Sequence, residues 1–117
     1  MKSILVVDDD ESVASLIVDF IRSRGGYFPV LARSGKEAWE LMNGKMLFDI
    51  VLSDKDMPNW GGLDLLCRIR ADRRFDSVRF ILMSGNPPGN LEELQKQFHF
   101  PFLHKPFTPP ELFEALG

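Results

Sequence analysis

Phe48-Asp49-Ile50-Val51-Leu52-Ser53-Asp54-Lys55-Asp56-Met57-Pro58 is the stretch whose reading decides the fold. Ile50 to Leu52 is apolar, rich in β-branched residues and too short for a helix. It reads as a buried strand that carries Asp54 to its C-terminal end. Pro58 and the pair Gly61-Gly62 break the chain into a loop directly afterwards, which is expected to leave Asp54 on a rigid strand tip facing solvent. Sheets flanked by helices place their chemistry at such tips.

Outward from that strand, the same unit recurs. Ile4 to Val7 is a second buried run, and it stops at four acids, Asp8-Asp9-Asp10-Glu11. Ser12 is expected to cap a helix on which Val13, Leu16, Ile17, Phe20 and Ile21 recur until Gly25-Gly26 stops it. Tyr27 to Ala32 is a strand containing Pro29. Ser34 and Glu37 form a capping box for a helix with Ala38, Leu41 and Met42 inward and Trp39 half exposed, closed by Asn43-Gly44.

Beyond the Asp54 loop, Leu63, Leu65, Leu66, Cys67 and Ile69 form a wide apolar helix face ending near Asp72. Val78 to Met83 is a strand ending at Ser84-Gly85, and Asn86-Pro87-Pro88-Gly89 is loop. Asn90 with Glu93 caps a helix carrying Leu91, Leu94 and Phe98. Phe100 to Leu103 is the last strand, ended by Lys105-Pro106, and Thr108, Pro109 and Glu111 start a short final helix with Leu112, Phe113 and Leu116 inward.

Five strictly alternating units predict an α/β fold, a single doubly wound (βα)5 domain over residues 1–117. Pro29 and Pro101 mark the second and fifth strands as edges, because proline donates nothing to a ladder. The five-stranded parallel sheet is therefore expected in the flavodoxin-like order 2-1-3-4-5, with its switch point between the first and third strands. Asp8, Asp9, Asp54, Ser84 and Lys105 then converge on one crevice from four strand ends.

Composition removes several function classes. The 117 residues, 44% of them hydrophobic, suffice for one core. A net charge of -3 and a pI near 5.3 give no basic stripe, so no direct nucleic-acid contact is expected. The single cysteine, Cys67, excludes an internal disulfide framework and reads as a buried structural thiol. No apolar run reaches the roughly 18 residues of a membrane span, and the start Met1-Lys2-Ser3 enters a strand at once; the reading is an untargeted cytoplasmic protein.

The converging groups have a defined chemistry. Carboxylates about 4 to 5 Å apart repel by roughly 4 kcal/mol per pair at an effective dielectric near 20. A proton or a hard cation has to relieve that repulsion, and an oxygen-only site that shares a phosphate suits Mg²⁺. The cation, the Lys105 ammonium and the Ser84 hydroxyl are fitting partners for phosphoryl oxygens, and Asp54 is the natural nucleophile for an acyl phosphate.

Asp8-Asp9 after Ile4-Leu5-Val6-Val7, Asp54 with Met57-Pro58 and Gly62, Ser84 after Ile81-Leu82-Met83, and Lys105-Pro106-Phe107 together resemble a response-regulator receiver domain of two-component signalling, the CheY-like family. The resemblance spans essentially the whole chain. It implies a phosphoacceptor signalling domain rather than an enzyme, with self-catalysed phosphotransfer and slow autodephosphorylation only. Asp54 takes a phosphoryl group from a histidine kinase or a histidine phosphotransfer protein. Asp8, Asp9, Asp54 and the Asp56 backbone carbonyl hold Mg²⁺, Lys105 pairs with the phosphate, Ser84 moves toward it, and Phe102 turns inward. The face formed by the fourth helix, fifth strand and fifth helix then switches toward a downstream effector, an attached output domain or a phosphorylation-dependent homodimer. A cis Lys105-Pro106 bond is implied as well.

The sequence departs from the family pattern at Trp60 and Gly61, where a more mobile loop is expected to place an aromatic beside the site. Asp56 adds negative charge near the phosphoryl group and is expected to alter its lifetime. His99 and His104 read as surface or strand-edge residues. Asp54-Lys55-Asp56 also matches the DxD of haloacid-dehalogenase-like phosphatases, yet those enzymes place DxD first and the acidic pair last. A flavin-binding flavodoxin needs hydroxyls and backbone amides where the first strand here ends in acids. A pseudo-receiver that binds partners without phosphorylation is disfavoured because every chemical residue is present.

Overall fold

The computed structural model describes residues 1–117. The strands are β1 (Lys2–Val7), β2 (Tyr27–Ala32), β3 (Ile50–Asp54), β4 (Arg79–Ser84) and β5 (Phe102–His104). They alternate with α1 (Glu11–Arg24), α2 (Gly35–Met42), α3 (Gly62–Arg70), α4 (Leu91–Phe98) and α5 (Pro109–Leu116). All strand pairs are parallel, in the order β2-β1-β3-β4-β5, as the two prolines predicted.

Alternation along the strands explains why helices cover both faces. Leu5, Val7, Val51, Phe80 and Leu82 belong to one buried cluster, together with Ala38 and Met42 of α2 and Leu65, Leu66 and Ile69 of α3. The intervening Ile4, Val6, Ile50, Leu52, Ile81 and Met83 form the other, with Ile17 and Ile21 of α1 and Leu112 and Leu116 of α5. Every residue of β3 is buried, as a central parallel strand requires.

Register decides what meets at the C-terminal edge. Val7 lies opposite Ser53, Asp54 opposite Met83, and Ser84 opposite His104. The ladder continues one step past the strands, through Asp8 N–H to the Ala32 carbonyl (3.1 Å), Lys55 N–H to Met83 (2.8 Å) and Lys105 N–H to Ser84 (2.9 Å). Residues that follow three of the strands are thereby held on backbone hydrogen bonds rather than on free loops.

Several local expectations are corrected. Asp10, not Ser12, caps α1, because its carboxylate reaches the amides of both Ser12 and Val13. Leu16 is 52% exposed, and Ala14 takes its expected place in the buried stripe. The Ser34 hydroxyl caps α2, whereas Glu37 bonds the Arg33 amide instead of closing the box. Asn90 occupies the cap position of α4 without a side-chain hydrogen bond. After α3 ends at Arg70, a short 3-10 turn, Arg73–Phe75, comes before β4 and buries Phe75.

Cys67 is exposed, not buried. It lies two residues, about 200°, past Leu65 on the helix, on the flank away from the sheet. Strand β5 starts at Phe102 rather than Phe100, although Leu82 already donates to the Pro101 carbonyl at 3.1 Å. The capping box of α5 forms as expected: Thr108 Oγ1 accepts from the Glu111 amide and Glu111 from the Thr108 amide.

Candidate functional site

Asp8 is the first residue past β1, and its side chain is 1% exposed. Its Oδ1 accepts from the Asp10 amide at 3.0 Å, and its Oδ2 accepts from Lys105 Nζ at 2.8 Å. The same ammonium lies 3.2 Å from Asp54 Oδ1. One cation thus serves two carboxylates.

The structure corrects the expectation for Asp54. This residue is 7% exposed, not a solvent-facing tip. Its carboxylate is flanked by Lys105, 3.2 Å from Oδ1, while behind the backbone the Gly61-Gly62 pair folds back on the strand end, with Gly62 N–H bonded to the Lys55 carbonyl at 3.0 Å. A Cβ on Gly62 would stand 2.4 Å from the Asp54 carbonyl oxygen and 2.8 Å from Leu82 Cδ1, so only glycine permits this approach.

The electrostatics follow from that burial. Desolvation is the largest influence on Asp54 and pushes its carboxyl above the usual range; Lys105 opposes this and Asp8 reinforces it. Burial alone would depress Lys105, but its hydrogen bond and charge contact with Asp8, then Asp54, hold its ammonium above the usual lysine range. The two directions agree: the lysine faces two anions, whereas Asp54 faces one cation and two further anions, Asp8 and Asp56.

Asp9 is exposed, and one carboxylate oxygen each from Asp8, Asp9 and Asp54 lie within 4.8 Å of one another. An all-oxygen, triply acidic donor set of that span fits a hard divalent ion. Ser84 is fully buried and stands beside these groups without bonding them. Its hydroxyl donates toward Asp56 Oδ2 (3.0 Å) and the Asn86 carbonyl (3.1 Å), and accepts from the Asn86 amide (2.9 Å). Phe102 is half-buried and packs edge to face with His104 at 6.3 Å.

The sequence matches the family described as "Response regulator receiver domain" over residues 4–117.

The chain belongs to the response regulator receiver family.

It is similar to the chemotaxis protein CheY1 of Helicobacter pylori (strain J99), at 35% identity over 116 residues covering 97% of this chain and 92% of that one. The solved chemotaxis protein CheY4 of Vibrio cholerae aligns at a TM-score of 0.88 and 25% identity over 99% of this chain and 96% of that one. The receiver domain of the sensor histidine kinase PA1611 of Pseudomonas aeruginosa PAO1 aligns at a TM-score of 0.84 and 28% identity, covering 98% and 93% respectively. That structure has a magnesium ion coordinated in its active-site cleft. As a receiver, this chain is a CheY-like domain of two-component signalling rather than a conventional enzyme.

Within this receiver, the Lys105-Pro106 peptide is cis. Trp60 makes contact with α2 and α3. Its backbone packs on Gly35 of α2, where an added Cβ would meet Trp60 Cβ at 2.7 Å, and the Arg68 guanidinium covers its ring at 3.9 Å. Sequence reasoning missed Asp10 as the residue that bonds Asp8, and missed the Asp56–Ser84 hydrogen bond. The signal for the first was an acid three residues before the helix stripe, placed to cap α1 with its side chain while its amide bonds Asp8; for the second no local signal exists, because the partners are 28 residues apart.

Proposed function

We propose that residues 1–117 act as one phosphoacceptor unit, in which Asp54 accepts a phosphoryl group from the phosphohistidine of a kinase or phosphotransfer protein. The observation that carries this reading is the Asp8-Asp9-Asp54 cluster with Lys105 Nζ 3.2 Å from Asp54. Asp54 Oδ attacks the phosphorus, the N–P bond of the donor breaks, and the electron pair returns to the imidazole. Lys105 is already in place to neutralise an oxygen of the transferred group. Asp8, Asp9, Asp54 and the Asp56 carbonyl would hold Mg²⁺, which when bound supplies charge neutralisation for the phosphoryl oxygens.

A surface for the donor adjoins the site. Val13, Leu16, Ile17 and Phe20 of α1 and Pro106-Phe107 border an apolar groove of about 280 Å³ that also touches Lys105. Leu16 is exposed there, so a helix of the donor protein can cover apolar area while its histidine reaches Asp54. Phosphorylation then biases Ser84 and Phe102 and shifts the α4-β5-α5 face. A downstream effector, an attached output domain or a second copy reads that face in the cytoplasm. No helix is long and apolar enough to cross a membrane.

Amide spectra of the protein with Mg²⁺, before and after a small phosphodonor, test the switch. The expected result is a first set of shifts confined to residues around Asp8, Asp9 and Asp54, and a second set extending through residues 84–104. Shifts that never leave the acidic cluster contradict the switching part of the reading.

A further inference from the structure

We propose that the Asp56 side chain is a competing acceptor for the Ser84 hydroxyl, holding it away from Asp54 until a phosphoryl group there takes over the bond. The inference rests on the reading of Asp54 as phosphoacceptor and adds a restraint to it. Ser84 is fully buried, and its hydroxyl carries one proton. Two acceptors stand within reach of that proton, Asp56 Oδ2 at 3.0 Å and the neutral Asn86 carbonyl at 3.1 Å. A carboxylate acceptor forms roughly twice as strong a bond as a neutral one, so Asp56 dominates. The other oxygen of Asp56 lies 3.4 Å from Lys55 Nζ, on the solvent-exposed side of the aspartate.

The restraint has a route outward. The Asn86 amide donates to Ser84 Oγ at 2.9 Å, and the Leu91 amide at the start of α4 donates to the Pro88 carbonyl at 3.2 Å. Between them runs Asn86-Pro87-Pro88-Gly89, whose two prolines leave few backbone freedoms. A rotation of Ser84 toward Asp54 withdraws the acceptor of Asn86 and has to carry the loop with it. Gly85 leaves room for this, since a Cβ there would meet only the Lys105 carbonyl at 3.7 Å. Asp56 is a positioning residue in this account: it acts on the phosphoryl site through Ser84.

A double-mutant cycle separates this role from plain charge repulsion. Beryllofluoride, a phosphoryl stand-in, is titrated at saturating Mg²⁺ into wild type, Asp56→Ala, Ser84→Ala and the double variant. Asp56→Ala removes both the repulsion and the competing acceptor, whereas in the Ser84→Ala background only the repulsion is left to remove. Asp56→Ala is expected to tighten binding about fivefold more in the wild-type background than in the Ser84→Ala background, the scale of one net hydrogen bond. Asp56→Asn, which keeps an oxygen acceptor, is expected between wild type and Asp56→Ala. Equal gains in the two backgrounds overturn the competing-acceptor role while leaving the phosphoacceptor reading intact. Failure of wild type to bind beryllofluoride overturns that reading, and this inference with it.

Discussion

Lys105 Nζ donates to Asp8 Oδ2 at 2.8 Å, joining two side chains 97 residues apart in the chain. Asp8 is almost completely buried and Lys105 is one-fifth exposed, so this contact neutralises a carboxylate that water does not reach. The same ammonium neutralises Asp54, and the ends of the sheet on both sides of the switch point depend on it.

Replacing Lys105 with methionine therefore leaves two crowded carboxylates without a cation. The variant is expected to lose about 1 to 3 kcal/mol of stability in Mg²⁺-free buffer, less than a fully buried pair would because Lys105 keeps some solvent. Mg²⁺ is expected to restore more stability to the variant than to wild type, since a cation bound only to the folded state stabilises by mass action. Urea unfolding with and without Mg²⁺ measures both. Equal Mg²⁺ effects on the two proteins would contradict a shared acidic site.

Gly62 and Gly89 offer a paired comparison. Gly62→Ala puts a methyl 2.4 Å from the Asp54 carbonyl oxygen and is expected to cost about 2 kcal/mol or more while displacing the acceptor. Gly89→Ala meets nothing within 4 Å and is expected to be neutral or stabilising by a few tenths of a kcal/mol. Urea midpoints with phosphoryl uptake from a small donor check the contrast.

How much of this was legible in the sequence differs from residue to residue. Pro29 and Pro101 marked the two edges, because the missing amide is a property of the residue itself, and the doubly wound pattern supplied the order between them, although Pro101 lies one residue before β5. Asp8, Asp9, Asp54, Ser84 and Lys105 were brought to one crevice on paper because parallel strands in that order must align their ends. The burial of Asp54 was not legible: its carboxylate is enclosed by partners from other strand ends, Asp8 and Lys105, which meet it only in the folded sheet. Leu16 and Cys67 were misplaced because apolar residues at helical spacing show a stripe without showing its centre. The Asp56 side chain was read as a charge near the site and its backbone carbonyl as a metal ligand; its bond to Ser84 was not legible, since it exists only once β3 and β4 are paired.

Arg70 anchors the element expected to move. Its guanidinium donates to the carbonyls of Phe98 (2.9 Å), Val78 (2.8 Å) and His99 (3.3 Å), tying the end of α4 to the start of β4. No residue of α4 is fully buried, so this contact carries much of the attachment of the helix. Arg70→Met is expected to destabilise by about 2 kcal/mol and to raise hydrogen exchange in residues 91–100 above that of the β-sheet. Unchanged exchange in α4 would show that its half-buried Leu91, Leu94 and Phe98 hold it unaided.

The capping box of α5 makes a pH prediction. Bonds from the Thr108 amide, then its hydroxyl, hold the Glu111 carboxyl below the usual glutamate range. Because the folded value is depressed, the contribution to stability is present above the unfolded value and is lost as pH falls through the folded one. Amide exchange in residues 109–116 is expected to rise selectively below about pH 4 in wild type. In Glu111→Gln that selective step should be absent.

The central claim is that Asp54 accepts a phosphoryl group. Intact mass after incubation with Mg²⁺ and acetyl phosphate, for wild type and Asp54→Asn, tests it most directly. The account predicts one added phosphoryl group on wild type and none on Asp54→Asn. An adduct of equal yield on both proteins, or none on wild type with Mg²⁺ bound, would contradict it.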